Sequence, residues 1–176
     1  MDNKILEDYI ITIPDFPKPG IMFRDVTGII KDPCGLRISI DGLKELLKGV
    51  EFDKVVGLEA RGFIFAVPVA CEMDKGFVPV RKKGKLPRET VEVEYALEYG
   101  TAAVEMHKED IKPGEKVVLV DDLLATGGSA KAGIDLCERL GAEVVKAVFV
   151  IELEDLKGRE ALKDYDVASL VVYSGE

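Results

Sequence analysis

Asp121 and Asp122 stand side by side at the end of an apolar run, and the residues that follow, Leu123-Leu-Ala-Thr-Gly-Gly-Ser129, set two glycines between two hydroxyls. Gly127 and Gly128 let the backbone approach an anion with no Cβ in the way, while Thr126 and Ser129 add O–H donors. Ala130, Ile134, Cys137 and Leu140 then recur at helical spacing, so a helix would aim its free N–H groups and positive dipole end at the same spot. That combination is a phosphate site. Two carboxylates beside it would repel a phosphate, which leaves them to accept hydrogen bonds from vicinal hydroxyls or to meet a metal ion. A sugar phosphate presents both an anion and a diol. The Gly-Lys-Ser or Gly-Lys-Thr of a nucleotide-hydrolysing P-loop is missing, and so is the Gly-x-Gly-x-x-Gly of a dinucleotide fold.

Two further charged clusters follow strands in the same way. Val55-Val-Gly-Leu58 reads as a short buried strand and delivers Glu59-Ala-Arg-Gly62, ahead of an apolar helix from Phe63 to Met73 that Pro68 would interrupt. Phe77-Val-Pro-Val80 reads as another and runs into Arg81-Lys-Lys-Gly-Lys-Leu-Pro-Arg88, strongly basic within a chain of net charge −9. Such a run is ordinarily a solvated surface. Its place after a strand's carboxyl end argues for an anion instead.

The elements that must position these groups follow from periodicity. Val117 to Val120 is a uniform β-branched run, predicted as a buried parallel strand that stops at Asp121. Leu36, Ile40, Leu43 and Leu47 predict an amphipathic helix over Gly35 to Lys48. Glu92 to Gly100 is expected to close the basic loop and return as a strand, with Thr101 to His107 as an outer strand. Val144 to Ile151 and Val167 to Val172 supply the last strands, with a short helix starting at Leu156 between them. At the other end, Lys4 to Ile11 suits a short helix, and Pro14, Pro17, Pro19 and Gly20 fix an extended arm leading into a strand from Ile21 to Asp25. A stiff arm of this kind serves as a surface cover or as a lid over a flat ligand. The alternation of strands and helices predicts one α/β domain over 1–176, a mainly parallel central sheet flanked by helices, with a small N-terminal hood over about 1–34. In such sheets the loops at the carboxyl ends of strands gather at one site, which brings Arg61 to the glycine loop.

Composition narrows the setting. With 47% apolar and 32% charged residues the chain is ordinary globular material, and it carries no apolar run of membrane-spanning length. No basic-then-apolar leader opens it, so a soluble, unexported, cytoplasmic protein is expected. Cys34, Cys71 and Cys137 are widely spaced among apolar neighbours and read as reduced core residues. His107 is the one histidine, which disfavours histidine-based metal or triad chemistry, and it reads as a half-exposed strand residue. The acidic balance argues against a nucleic-acid partner.

Val118-Leu-Val-Asp-Asp-Leu-Leu-Ala-Thr-Gly-Gly-Ser129 resembles the phosphoribosyl pyrophosphate (PRPP) motif of the type I phosphoribosyltransferases, and its Asp-Asp-Leu-Leu-Ala-Thr-Gly-Gly form is similar to that of the adenine phosphoribosyltransferases among them. Ser129 stands where the motif usually ends in threonine. Four stretches match in the family's order, from Pro14 to about Glu160. The resemblance implies that Asp121 and Asp122 hold the ribose hydroxyls while Ala125, Thr126, Gly127, Gly128 and Ser129 bind the 5′-phosphate. It implies a pyrophosphate loop at Glu59–Arg61, often with a cis peptide that here would be Glu59–Ala60. It makes about 82–98 a flexible catalytic loop, with Arg81, Lys82 and Lys85 on phosphate groups. Pro14-Asp-Phe-Pro-Lys-Pro-Gly-Ile-Met-Phe-Arg-Asp25 resembles an adenine-binding hood, in which Phe23 stacks on the purine, main-chain groups of Met22 and Arg24 read its N6 and N1 edge, and Leu153 forms the opposite wall. In Leu97-Glu98-Tyr99-Gly100 the resemblance gives Glu98 the proton at N7 and Tyr99 a part in closing the site. The implied reaction takes adenine and PRPP to AMP and pyrophosphate, with Arg61, Lys82 and Glu98 catalytic, Mg²⁺ carried mainly by PRPP, and a homodimer as the assembly. Another purine phosphoribosyltransferase, or a non-catalytic PRPP or purine sensor of the same fold, is the competing expectation.

Overall fold

The computed structural model describes residues 5–96 and 101–174. Its main sheet has seven strands: β3 (Lys54–Leu58), β4 (Gly76–Lys82), β5 (Thr90–Ala96), β6 (Thr101–His107), β7 (Lys116–Leu124), β8 (Glu143–Leu153) and β9 (Val167–Tyr173), in the spatial order β5-β6-β4-β3-β7-β8-β9. From β4 to β9 the neighbours run parallel, and β6 and β5 join antiparallel. The alternation within β7 explains its uniformly apolar sequence. Val117 and Leu119 pack on one face against Ile134, Leu136 and Cys137 of α4 (Gly128–Arg139), while Val118 and Val120 pack on the other with Phe65 and Val69 of α3 (Arg61–Glu72) and Ile40 and Leu43 of α2 (Pro33–Leu46). A strand covered on both faces has no polar side to show.

Helix ends follow local chemistry. The Asp32 side chain accepts the N–H groups of Cys34 and Gly35, and Pro33 takes the first helical position of α2. Pro68 does not interrupt α3, which runs unbroken from Arg61 to Glu72; the carbonyl it cannot serve belongs to Ile64, on the helix's exposed face. Before the sheet, a short 3₁₀ turn at Leu6–Tyr9 stands where a helix from Lys4 to Ile11 was expected. β1 (Ile11–Pro14) and β2 (Met22–Asp25) pair as a separate two-stranded ribbon, followed by one turn, α1 (Thr27–Ile30).

Several expectations need correction. β7 does not stop at Asp121; it stays paired through Leu124, because β8 continues alongside it and pairs Leu123 with Ile151 and Leu124 with Glu152. β6 is not the outer strand, since β5 lies beyond it and forms the edge. β5 begins at Thr90, two residues before the strand expected from Glu92, and its Val91 and Val93 pack on the core. His107 is buried, its ring held by Arg88 and Asp110. Of the cysteines only Cys137 is in the core; Cys34 and Cys71 are exposed, and all are free thiols. Among the described residues no helix is long and apolar enough to cross a membrane.

Candidate active site

A cleft of about 410 Å³ opens at the carboxyl ends of β3, β4 and β7. Its floor is the turn from Asp121 to Ser129, its walls Glu59, Ala60 and Arg61 on one side and Lys82 and Tyr95 on another. Gly127 takes φ +81°, the left-handed region, directly before the first turn of α4, so the free N–H groups of that helix face the turn. A side chain at Gly127 would also strike the Gly158 carbonyl, 2.6 Å from where its Cβ would lie. Thr126 and Ser129 are exposed to the cleft. The result is a set of backbone and hydroxyl donors around one anion-sized space, with a helix dipole behind it.

Beside this turn the two carboxylates have different surroundings. Asp122 is buried and paired with Arg61, whose Nε lies 2.5 Å from its Oδ2. Asp121 accepts the N–H of Asp122 at 2.9 Å and supports the first turn of α3 so closely that a Cβ on Gly62 would lie 2.4 Å from its Oδ1. Burial, together with the charge of Asp122, pushes the Asp121 carboxyl well above the usual carboxylate range. Arg61 thus reaches the cleft with a partly exposed guanidinium oriented by Asp122. The peptide bond Glu59–Ala60, just before it, is cis.

The basic run divides by partner. Arg81 turns to Glu59, Nε to Oε2 at 3.0 Å, and donates to the Lys85 carbonyl at 3.1 Å. Glu59 also accepts the Lys82 N–H at 3.1 Å; burial alone would raise its carboxyl, but Arg81 and that N–H outweigh burial and hold it below the usual range. Lys83 pairs with Glu92 at 2.8 Å and Arg88 with Asp110 at 2.6 Å. Among the described residues Lys82 and Lys85 form no ion pair, and Lys82 lines the cleft. Arg81 and Lys85 do not line it.

The hood approaches the same rim of the sheet from the side of β8 and β9. Phe23 is half-buried, meeting Phe16 edge-to-face at 5.1 Å, and Met22 is exposed. The Arg24 guanidinium lies 3.8 Å over the Tyr173 ring, and Tyr173 pairs in register with Leu153 at the ends of β9 and β8. Asp25 is held low by the hydroxyl and N–H of Thr27, with Arg61 contributing, which sets the base of the hood within electrostatic reach of the cleft. Met22, Phe23, Arg24 and Leu153 stand outside the cleft lining itself.

The phosphoribosyl transferase domain family matches residues 36–173. The chain belongs to the phosphoribosyltransferase family, on its adenine phosphoribosyltransferase branch. The adenine phosphoribosyltransferase of Lachnoclostridium phytofermentans is 61% identical over 173 residues, 98% of this chain and 99% of that protein. The crystal structure of adenine phosphoribosyltransferase from Thermoanaerobacter pseudethanolicus superposes with a TM-score of 0.92 at 48% identity, covering 96% of this chain and 100% of that one. The Saccharomyces cerevisiae enzyme, crystallised with adenine and an imino-altritol bisphosphate, superposes at 0.88 with 42% identity, covering 94% and 96%. Against this family, Arg61, Lys82, Asp121, Asp122 and Ala125 to Ser129 come together in one cleft, while Glu98 and Tyr99 lie outside the described residues.

Sequence reasoning missed the brace behind the phosphoribosyltransferase turn. A Cβ on Gly158 would lie 2.4 Å from the Ala125 carbonyl, so this glycine is the backstop of the turn. Its neighbour Arg159 is bidentate on buried Glu152, at 2.6 and 2.8 Å, and Ser169 donates to the same carboxylate at 2.7 Å. The signal that could have revealed it is a glutamate that closes the apolar run from Ala147 to Ile151, with an arginine one short loop later.

Proposed function

We propose that the chain transfers the 5-phosphoribosyl group of PRPP to adenine, giving AMP and pyrophosphate, in the cytoplasm and as a homodimer. The carrying observation is the convergence in one cleft of an amide-rich turn, a carboxylate pair and the cations Arg61 and Lys82. Each part suits one piece of PRPP: the turn its 5′-phosphate, Asp121 and Asp122 its ribose hydroxyls, and Arg61 and Lys82, with Lys85 and Arg81 nearby, its pyrophosphate.

In the reaction adenine N9 donates an electron pair to C1′ as the C1′–O bond breaks, and those electrons leave on pyrophosphate. Positive charge builds on the ribose and negative charge on the leaving group, where Arg61 and Lys82 stabilise it. Glu98 accepts the N7 proton of the base. Asp121 and Asp122 are hard oxygen donors beside the phosphate turn, which fits a divalent cation held chiefly by substrate oxygens. Mg²⁺ bound in this way supplies further charge neutralisation at the leaving pyrophosphate. Phe23 and Leu153 sandwich the purine, and the peptide groups of Met22 and Arg24 read its amino edge. The homodimer is supported by α3, which exposes Ile64, Val67 and Cys71 along one stripe.

The test is AMP formation from PRPP with adenine, hypoxanthine, guanine or xanthine, with and without Mg²⁺, read by product chromatography. Magnesium-dependent turnover confined to adenine is expected. Turnover with oxopurines would overturn the base assignment, and PRPP binding without turnover with any base would point to a sensor.

A further inference from the structure

The basic turn between β4 and β5 is organised by a side chain that the reaction does not touch. Glu105, in the middle of β6, is 4% exposed. Its Oε1 accepts the N–H groups of Lys85 at 2.9 Å and Leu86 at 2.8 Å, and its Oε2 accepts the Thr90 hydroxyl at 3.3 Å. Gly84, at φ +83°, bends the chain so that these amides converge. Burial alone would raise this carboxyl, but the amides of Leu86, Gly84 and Lys85 outweigh it and hold it below the usual range. The amide concavity of the turn is therefore filled from inside the protein, and its backbone donors are not offered to substrate.

What the turn does offer is side-chain charge. Arg81, Lys83 and Arg88 each have a carboxylate partner, whereas Lys82 and Lys85 have none among the described residues. We propose that Glu105 is a positioning residue for phosphoribosyl transfer: by pinning the amides of Lys85 and Leu86 to β6 it fixes the turn from which Lys82 and Lys85 reach the pyrophosphate. The lysines then move by side-chain rotation on a fixed backbone. This rests on the reading of the cleft as a PRPP and pyrophosphate site.

The experiment is run in reverse, from AMP and pyrophosphate, with the KM of each measured separately for the wild type, Glu105→Ala and Glu105→Gln. Glu105→Ala is expected to raise the KM for pyrophosphate about tenfold, the size of one lost charge-assisted contact, and to leave the KM for AMP unchanged. Glu105→Gln, which keeps one carbonyl oxygen for the amides, should recover most of the loss. Amide hydrogen exchange at Lys85 and Leu86 should be slow in the wild type and fast in Glu105→Ala. A general loosening would raise both KM values together, and that result, or an unchanged KM for pyrophosphate, would overturn the proposal. Should Glu105→Ala fail to fold, Glu105→Asp, which keeps the charge but withdraws the oxygens by one methylene, must show the same selective rise or the proposal falls. A wild-type protein that makes no PRPP from AMP would instead overturn the enzymatic reading, while the exchange data would still report whether Glu105 holds the turn.

Discussion

Asp121 and Asp122 are identical in type and adjacent in sequence, yet the fold makes one comfortable and the other strained. Asp122 has Arg61, whereas Asp121 faces burial and its neighbour's charge, and its carboxyl is raised. A raised carboxyl favours the folded state only while protonated, so this group costs stability increasingly as pH rises above 3.8, its ordinary value, toward its folded value. Asp121→Asn is therefore expected to raise Tm near neutral pH, by roughly 2–4 °C for each kcal/mol relieved in a chain of this size. The gain should vanish in strong acid, and PRPP affinity should fall. Scanning calorimetry across pH with a PRPP titration checks both signs; a lower neutral Tm would show that the carboxylate is structural. Glu98 belongs to the same scale with the opposite signature. Glu98→Gln should lower kcat by about 10²- to 10⁴-fold, the usual worth of a proton-transfer group, while the PRPP Kd stays as in the wild type. Loss of PRPP binding would remove it from the acid–base role.

Strand-to-helix units carry the site, and they were the most legible part of the sequence. β7, the glycine turn and α4 could be read because a strand buried on both faces is an unbroken apolar run, and the helix behind it shows its own period. The antiparallel side was harder: Thr101 to His107 alternates much as an edge strand would, and only tertiary pairing decides that β5 lies outside it. Buried carboxylates were harder still. Glu105 and Glu152 have the alphabet of surface residues, and their donors come from backbone amides and from an arginine seven residues on, which no periodicity announces. Gly158 illustrates the same limit, since its role is set by the distance to another element. Gly158→Ala should push the Ala125 carbonyl, and with it the phosphate turn, out of place. The expected outcome is a rise of about tenfold in KM for PRPP, with the adenine KM little changed, measured by initial rates at saturating partner substrate. Equal effects on both substrates would mean that the short helix α5 (Gly158–Ala161) supports the whole sheet end and not the turn alone.

For the whole molecule, two electrostatic effects make opposite demands on stability. Net charge is −9 at neutral pH and passes through zero near 4.8, so self-repulsion alone would place the greatest stability near that pH. The specific carboxylates argue otherwise. Glu105 and Glu152 are raised by burial but lowered further by their amide and Arg159 donors, and Glu115 is lowered by the Lys112 N–H and by Lys54. A carboxyl depressed in the folded state contributes stability that is complete above its ordinary value of 4.5 and is lost as pH falls through the folded value. Dispersed surface repulsion is screened by salt, while these short buried contacts are not, so the specific term should win. Urea midpoints are thus expected to stay nearly level between pH 7 and the isoelectric point, which lies above 4.5, and to fall steeply below it, with little change on adding salt. Glu152→Gln, which leaves Arg159 without its charged partner, should cost roughly 1–3 kcal/mol at neutral pH and flatten the acid limb. A midpoint that peaks at the isoelectric point and broadens with salt would mean that net charge, and not the buried carboxylates, governs the stability of this fold.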